Sequence, residues 1–336
     1  MRLSKWVACA AVMAVALAAC GDDDDSATTT TDNQVESGDF VIGFTNPSAQ
    51  NEQLRVLQEG IEARADAIGA EVISLDSQLD VDKQVTDFDQ LIAEDVDVII
   101  TLPLDSAALE PSVERAQEAG IKVVGLSVSL DEPDDIAPYD AAVNQGLEQQ
   151  ATEAAELVAE ELGGTGNVVG IGIGFPVPVI LFQVAAMEEQ AIANGLTWLD
   201  TLENPSDDAA GAQPLIEEAL LRFDDIDAII AYNDPSALGA TAALRGAGKE
   251  GVIVTGSNGS EEGIDLVRDG TIAATWDLLP WKQGLIAVNV AIALAKGEDV
   301  APSTTVAVQM LTSDNLDDQI PWDDALEQIR SGEISE

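Results

Sequence analysis

Asp95–Leu109 reads DVDVIITLPLDSAAL, and Asp225–Leu238 reads DIDAIIAYNDPSAL. In each stretch two aspartates lead into a short apolar run, a turn follows, and an Asp then opens a Ser-Ala helix start. An apolar run bounded by turn residues is a buried strand, and an Asp ahead of a helix start suits an N-cap. A strand that is apolar on both faces needs cover on both sides, the habit of parallel sheets. Two copies of this order point to two similar α/β lobes.

The pattern extends outward from both copies. FVIGFTN (Phe40–Asn46) precedes Leu54, Leu57, Ile61, Ala65 and Ile68 at helical spacing, closed by Gly69. AEVISLDS, a helix over Val85–Ile92, the Asp95 stretch, a helix around Val113, and IKVVGLSVS complete a first series. NVVGIGIGF, a helix over Val184–Ala193, LTWLDTL, a helix over Leu215–Leu221, the Asp225 stretch, a helix through Ala242–Leu244 and GVIVTGSNG form a second. The fold class is therefore α/β, with two Rossmann-like, doubly wound parallel-sheet lobes.

In open parallel sheets ligands sit beyond the carboxyl ends of the strands. Those ends here are Asn46, Asp76, Ser127, Asn233, Ser257, Asn258 and Asp277. Neutral and acidic hydrogen-bonding groups suit hydroxyls and amines; phosphates and carboxylates call for Arg, Lys or helix N-termini. Asn and Asp at such places also form turns and N-caps, so the coincidence of several, and no single one, argues for a pocket. Phe175, Phe182, Trp276 and Trp281 could supply an apolar wall, and Trp276 directly precedes Asp277.

Composition closes off whole classes. The 336 residues hold 62 acidic against 14 basic side chains, a net charge of −48, which excludes nucleic acid and anionic membrane surfaces as partners. With no His in the chain, Ser-His-Asp and Cys-His sites and His-ligated zinc are excluded. GIGIGF lacks the third Gly of a dinucleotide fingerprint, which falls on Phe175, and no Walker Gly-Lys-Ser/Thr occurs. No catalytic residue, metal ligand or cofactor is expected. The acidic surface fits a saline habitat, where salt relieves self-repulsion.

At the N-terminus Arg2 and Lys5 precede an apolar stretch from Trp6 to Ala19, then Cys20-Gly-Asp-Asp-Asp-Asp. This is the layout of a secretory signal peptide, and it is shorter than the ~20 residues that span a bilayer. Leu17-Ala18-Ala19-Cys20-Gly21 resembles the bacterial lipobox, which implies lipidation at Cys20 and loss of Cys9 with the signal. Gly21–Gly38 reads as a flexible acidic tether, with a reach of only ~20–25 Å.

Across about Phe40–Asn315 the chain resembles the type I periplasmic binding proteins of ribose-binding type, the substrate-binding subunits of ABC importers. The likeness is carried by GFTNP, LGAEVISLDSQLDVDKQVTDFDQLIAEDVDVIITLPLDSAAL, AGIKVV, YNDPSALGATAALRGAG and VIVTGSNGSEEGIDLVRDGTIAAT in that order. It implies two lobes joined by three crossings, placed near Ala141–Asn144, Trp276–Leu278 and Val306–Leu311, that close on a ligand by hinge bending. It implies polar ligand contacts at Asn46 and Asn233, with Asn258 where Asp is usual and Asp277 at a hinge-proximal Gln position. Ser48 and Ala49 replace stacking aromatics, Ser127 and Val128 replace Asp-Arg, and FPVPVILFQ puts Leu181 in place of an Arg-bearing loop.

The resulting expectations are definite. Residues 1–19 are a signal peptide, 20–38 the lipidated Cys and tether, 39–142 with 278–306 the first lobe, and 143–277 with 307–336 the second. A small polar ligand, a sugar, polyol or related molecule, contacts Asn46, Ser48, Ser127, Phe182, Asn233, Asn258, Trp276 and Asp277. The protein is not an enzyme, works as a monomer with an ABC permease, and is lipid-anchored on the outer face of the cytoplasmic membrane. A receptor subunit sensing a ligand, a carboxylate-based surface hydrolase, and a structural surface lipoprotein are the alternatives.

Overall fold

Each apolar run named above forms a strand in the computed structural model, which describes residues 40–128 and 135–336. The segments expected to be a signal peptide and a tether, with Cys20 between them, lie outside the described residues. The first series builds β1 (Val41–Asn46), α1 (Glu52–Ile68), β2 (Glu71–Asp76), α2 (Val81–Ala93), β3 (Val98–Thr101), α3 (Ser106–Glu118), β4 (Lys122–Leu126) and β5 (Ala141–Gln145). The second builds α4 (Leu147–Leu162), β6 (Asn167–Ile173), α5 (Pro178–Ala193), β7 (Thr197–Asn204), α6 (Ala209–Arg222), β8 (Ala228–Ala231), α7 (Asp234–Gly246), β9 (Ile253–Thr255), α8 (Glu261–Arg268) and β10 (Thr275–Asp277). The chain ends with α9 (Pro280–Ala295), β11 (Ser303–Val306), β12 (Gln309–Leu311) and α10 (Trp322–Arg330).

One six-stranded parallel sheet has the order β11-β5-β4-β3-β1-β2, a second has four strands in the order β7-β6-β8-β9, and β10 pairs antiparallel with β12. Both large sheets are covered on both faces, which explains why their strands are apolar throughout. On the first, Ile42, Phe44, Ile100 and Val124 meet Leu57 and Ile61 of α1 and Val288 of α9, while Ile99 and Val123 meet Phe88, Leu91 and Val113 of α2 and α3. On the second, Val169, Ile171 and Ile229 pack under α6 and α7, and Val168 and Ile230 pack under α4 and α5.

Local sequence sets where the helices start. Asn51, Asp80, Asp105, Asp208, Asn233 and Ser260 each turn a side-chain oxygen onto the backbone N–H three residues on, capping α1, α2, α3, α6, α7 and α8. Each cap satisfies a donor that the first helical turn leaves free.

Two expectations are corrected. FPVPVILFQ, read as a loop, is helical from Pro178, because proline suits the first turn of a helix. The terminal segment was expected to belong wholly to the second lobe, yet α10 docks on α1 and α9. Its apolar stripe of Ala325, Leu326 and Ile329 meets Val56 and Ala63 of α1 and Trp281 and Leu285 of α9. An amphipathic helix buries its stripe wherever apolar surface is still open, and here that surface lies on the first-lobe helices. No helix among the described residues is long and apolar enough to cross a membrane.

Candidate functional site

The carboxyl ends of the two sheets approach each other. Gln53, in the first turn of α1, donates its Nε2 to the carbonyl of Asn258 beyond β9 at 3.0 Å. Its Oε1 is buried and has no hydrogen-bond partner among the described residues. The residues predicted for the site are spread around this junction, and they divide into those whose polar atoms are engaged by the protein and those whose polar atoms are free.

Asn46 closes β1 with no exposure. Its Nδ2 donates to the Leu54 carbonyl at 3.2 Å and to Gln58 Oε1 at 2.8 Å, and its Oδ1 accepts from Ser48 N at 3.0 Å. Asn233 is engaged in the same way, its Oδ1 capping α7 through Ser236 N at 2.9 Å and its Nδ2 donating to Asp207 Oδ1 at 2.6 Å. Both hold the strand-end loops in shape.

Asp277 is fully enclosed. Its oxygens accept from Leu279 N at 2.8 Å, from Gln319 Nε2 at 3.1 Å and from Trp322 Nε1 at 3.2 and 3.1 Å. Burial outweighs those bonds and pushes its carboxyl up to about 6. Trp276 is likewise without exposure, packed beside Leu147, Ala274 and Leu278, with its indole N–H on Glu153 Oε2 at 2.8 Å. The structure puts its ring in the core, and no face of it is open.

The remaining predicted residues are more open. Ser127 sits at φ +52, half-buried, its Oγ accepting from Gln283 Nε2 at 3.2 Å. Asn258 is half-buried at φ +117, fixed by its backbone N–H to the Trp276 carbonyl at 2.9 Å, and its side-chain amide takes no hydrogen bond from the described residues. Such a backbone is disfavoured for a residue other than glycine, and it persists where the surroundings over-determine it. Ser48, two residues after Asn46, is buried, and its hydroxyl takes no hydrogen bond from the described residues, while Phe182, on α5, is partly buried against the second-lobe core.

Sequence reasoning passed over a set of helical glutamines. Gln84 donates to the Leu102 carbonyl at 2.9 Å and accepts from Leu104 N at 2.9 Å; Gln183 donates to the Tyr232 carbonyl at 3.2 Å; Gln283 donates to the Val143 carbonyl at 2.9 Å. All three are buried, and each braces a strand end from the helix above it. Asp207 was also passed over. It lies at φ +56 in the loop after β7, accepts from the Tyr232 hydroxyl as well as from Asn233, and its carboxyl is raised, first by burial. Next to Asn233, Asp234 is wholly enclosed, accepting from Ser260 N at 3.0 Å, Ser260 Oγ at 2.7 Å and Thr275 Oγ1 at 2.6 Å. Burial pushes it up to about 7.

The loops that leave the strand ends, over 46–51, 77–80, 102–105, 127–128, 174–177, 205–208, 232–233, 256–260 and 278–279, contain neither Lys nor Arg. Among the described residues no three His, Cys, Asp or Glu side chains come together as a metal site. What the strand ends carry is a set of amides, hydroxyls and one partly open carboxylate, groups that can hold a small molecule through its hydroxyl or amine groups.

Known proteins share this fold. Residues 42–299 match the periplasmic binding protein domain family. A xylitol-binding protein of Mycolicibacterium smegmatis is 28% identical over 288 residues, covering 77% of this chain and 74% of its own. A ribose import binding protein of Bacillus subtilis is 27% identical, covering 83% and 90%. The crystal structure of an ABC transporter solute binding protein from Bacillus halodurans with bound myo-inositol superposes with a TM-score of 0.75 at 26% identity, covering 87% of this chain and 99% of that one. With the family match running from β1 through α9, over more than half of the chain, the chain belongs to the periplasmic binding proteins and has their type I fold.

Proposed function

We propose that the protein is the exported, lipid-anchored solute-binding subunit of an ABC importer, and that it captures a sugar or polyol between its lobes. The observation that carries this reading is that the strand-end loops, free of Lys and Arg, present hydrogen-bonding groups with capacity to spare: the Ser127 Oγ accepts from Gln283 and keeps its own proton to donate, and the Asn258 amide takes no hydrogen bond from the described residues. Ser48, Ser127 and Asn258 offer hydroxyl and amide contacts, Phe182 an apolar face, while Asn46, Asn233 and Asp277 hold the loops that present them. Relatives named for xylitol and ribose add weight to this ligand class. The two lobes close by bending at the three crossings, the closed form docks on a permease, and Cys20 carries the lipid.

A thermal-shift series on the full-length chain in mild detergent tests the ligand class, with xylitol, D-ribose and myo-inositol as probes. A ligand at a hundredfold excess over its Kd adds about 2.7 kcal/mol, a shift of several degrees. A shift that Asn258→Ala removes is the expected result. Silence from every sugar and polyol overturns the reading.

A further inference from the structure

We propose that the preferred ligand carries a protonated amine, and that the free oxygen of Asp207 pairs with it; this rests on the solute-binding reading above and narrows it. Asp207 Oδ1 takes two donors, Asn233 Nδ2 at 2.6 Å and the Tyr232 hydroxyl. Oδ2 takes none from the described residues. Both polar atoms of the Asn233 amide are already engaged once, and the oxygen that takes no donor at the end of β8 is Asp207 Oδ2. Its neighbour Asp208 differs in exposure: it faces solvent and caps α6 through Oδ1, which accepts from Gly211 N at 2.8 Å and from Ser206 Oγ at 2.8 Å, so only Asp207 is a partly buried charge.

No cation among the described residues pairs with this carboxylate. The strand-end loops hold no Lys or Arg, and Lys83, in the first turn of α2, is bound to Asp87 at 2.7 and 2.9 Å. Across the junction the buried, unpartnered Gln53 Oε1 is a second acceptor. A ligand in this cleft must therefore bring donors. A neutral hydroxyl satisfies one acceptor; an ammonium also offsets a partly buried charge, which is costly to leave unpaired. Hydrogen bonds between ionised partners are about twice as strong as neutral ones, and the net charge of −48 draws cations toward the cleft. Carboxylates and phosphates find no charged donor here.

The test is calorimetry on the full-length chain in mild detergent at neutral pH, with matched probes: D-glucose, D-glucosamine and D-glucuronate, then sorbitol and 1-amino-1-deoxysorbitol, beside xylitol, D-ribose and myo-inositol. In at least one pair the amine is expected to bind roughly tenfold tighter than its neutral partner, about 1.4 kcal/mol, and the acid not at all. Asp207→Asn, isosteric and checked for an unchanged circular dichroism spectrum, should bring the amine down to the neutral level. Neutral probes that bind as tightly as their amines, or an amine preference that survives Asp207→Asn, overturn the amine inference and leave the solute-binding reading standing. Failure of all probes overturns both.

Discussion

The side chain of Gln149 clasps the backbone of Val308 in both directions, its Nε2 donating to the carbonyl at 3.2 Å and its Oε1 accepting the N–H at 3.3 Å. The same Nε2 donates to Glu153 Oε1 at 2.8 Å, and Glu153 Oε2 accepts the Trp276 indole N–H at 2.8 Å. Val308 lies between β11 and β12, Trp276 on β10, and Gln149 just past β5. One chain of hydrogen bonds thus ties together all three segments that pass between the sheets.

Replacing Gln149 by Leu keeps the bulk and removes both ends of the clasp. Two backbone groups of Val308 then lose their partner, which costs about 2 kcal/mol. The midpoint of urea unfolding should fall while the slope stays constant. An unchanged midpoint would falsify the clasp as a stabilising contact.

Stability should rise as the solution is made more acidic. Asp234 and Asp277 are pushed up to about 7 and about 6, both chiefly by burial. A carboxyl raised in the folded state favours folding below its ordinary value of about 4, and that contribution is lost as pH rises through the folded value. Between pH of about 4 and about 7 the gain on acidification is on the order of a few kcal/mol. Asp234→Asn keeps the shape and should flatten the trend; melting temperatures that fall on acidification across this window would contradict it.

Trp322→Phe should cost more at neutral pH than in acid. The substitution removes the indole donor from Asp277 and leaves the ring to pack with α10. Losing a bond to an ionised acceptor costs about 1.5–3 kcal/mol, against about 1 kcal/mol for a neutral one. Denaturation of the variant and the parent at both pH values gives the difference directly, and equal losses would argue that Asp277 is neutral throughout.

Added KCl should stabilise the fold. The few cations are paired locally, Arg55 with Glu59 at 2.7 Å and Arg115 with Asp89 at 2.7 Å, and most of the acidic surface has no counter-charge. Molar salt shrinks the Debye length to about 3 Å and screens that repulsion. A gain of about 2 kcal/mol would lift the melting temperature by roughly 3 °C for a chain of this size. A flat response in KCl, with no rise at all, would count against an adaptation to salt.

How much was legible follows from the range of each interaction. The strands could be read because burial on both faces writes a continuous apolar run into the chain, as in Val98–Thr101 and Ala228–Ala231. The caps could be read because Asp105 and Asn233 act on residues three positions away. Gln84, Gln183 and Gln283 could not, since a glutamine in a helix looks like a solvated face until the carbonyl it braces, up to 140 residues away, is in place. Asp207 hid in an acidic loop for the same reason. Trp276 misled because proximity to a strand end was taken for exposure, whereas the ring turns inward to Glu153. The docking of α10 was invisible because an amphipathic stripe states what it needs to cover and not where.

The strand order of the first sheet has a consequence for how the chain is assembled. Its edge strand β11 and one of its covering helices, α9, come from the last 57 residues, 280–336, as does α10, which packs outside α1 and α9, while the four strands of the second sheet lie within 147–277. During synthesis the earlier-made half must therefore wait, with Ile42, Phe44, Ile100 and Val124 lacking part of their cover, until the later-made half is finished and the tail returns. The segment made second is the one that can fold first, and the lobe nearest the N-terminus is completed last.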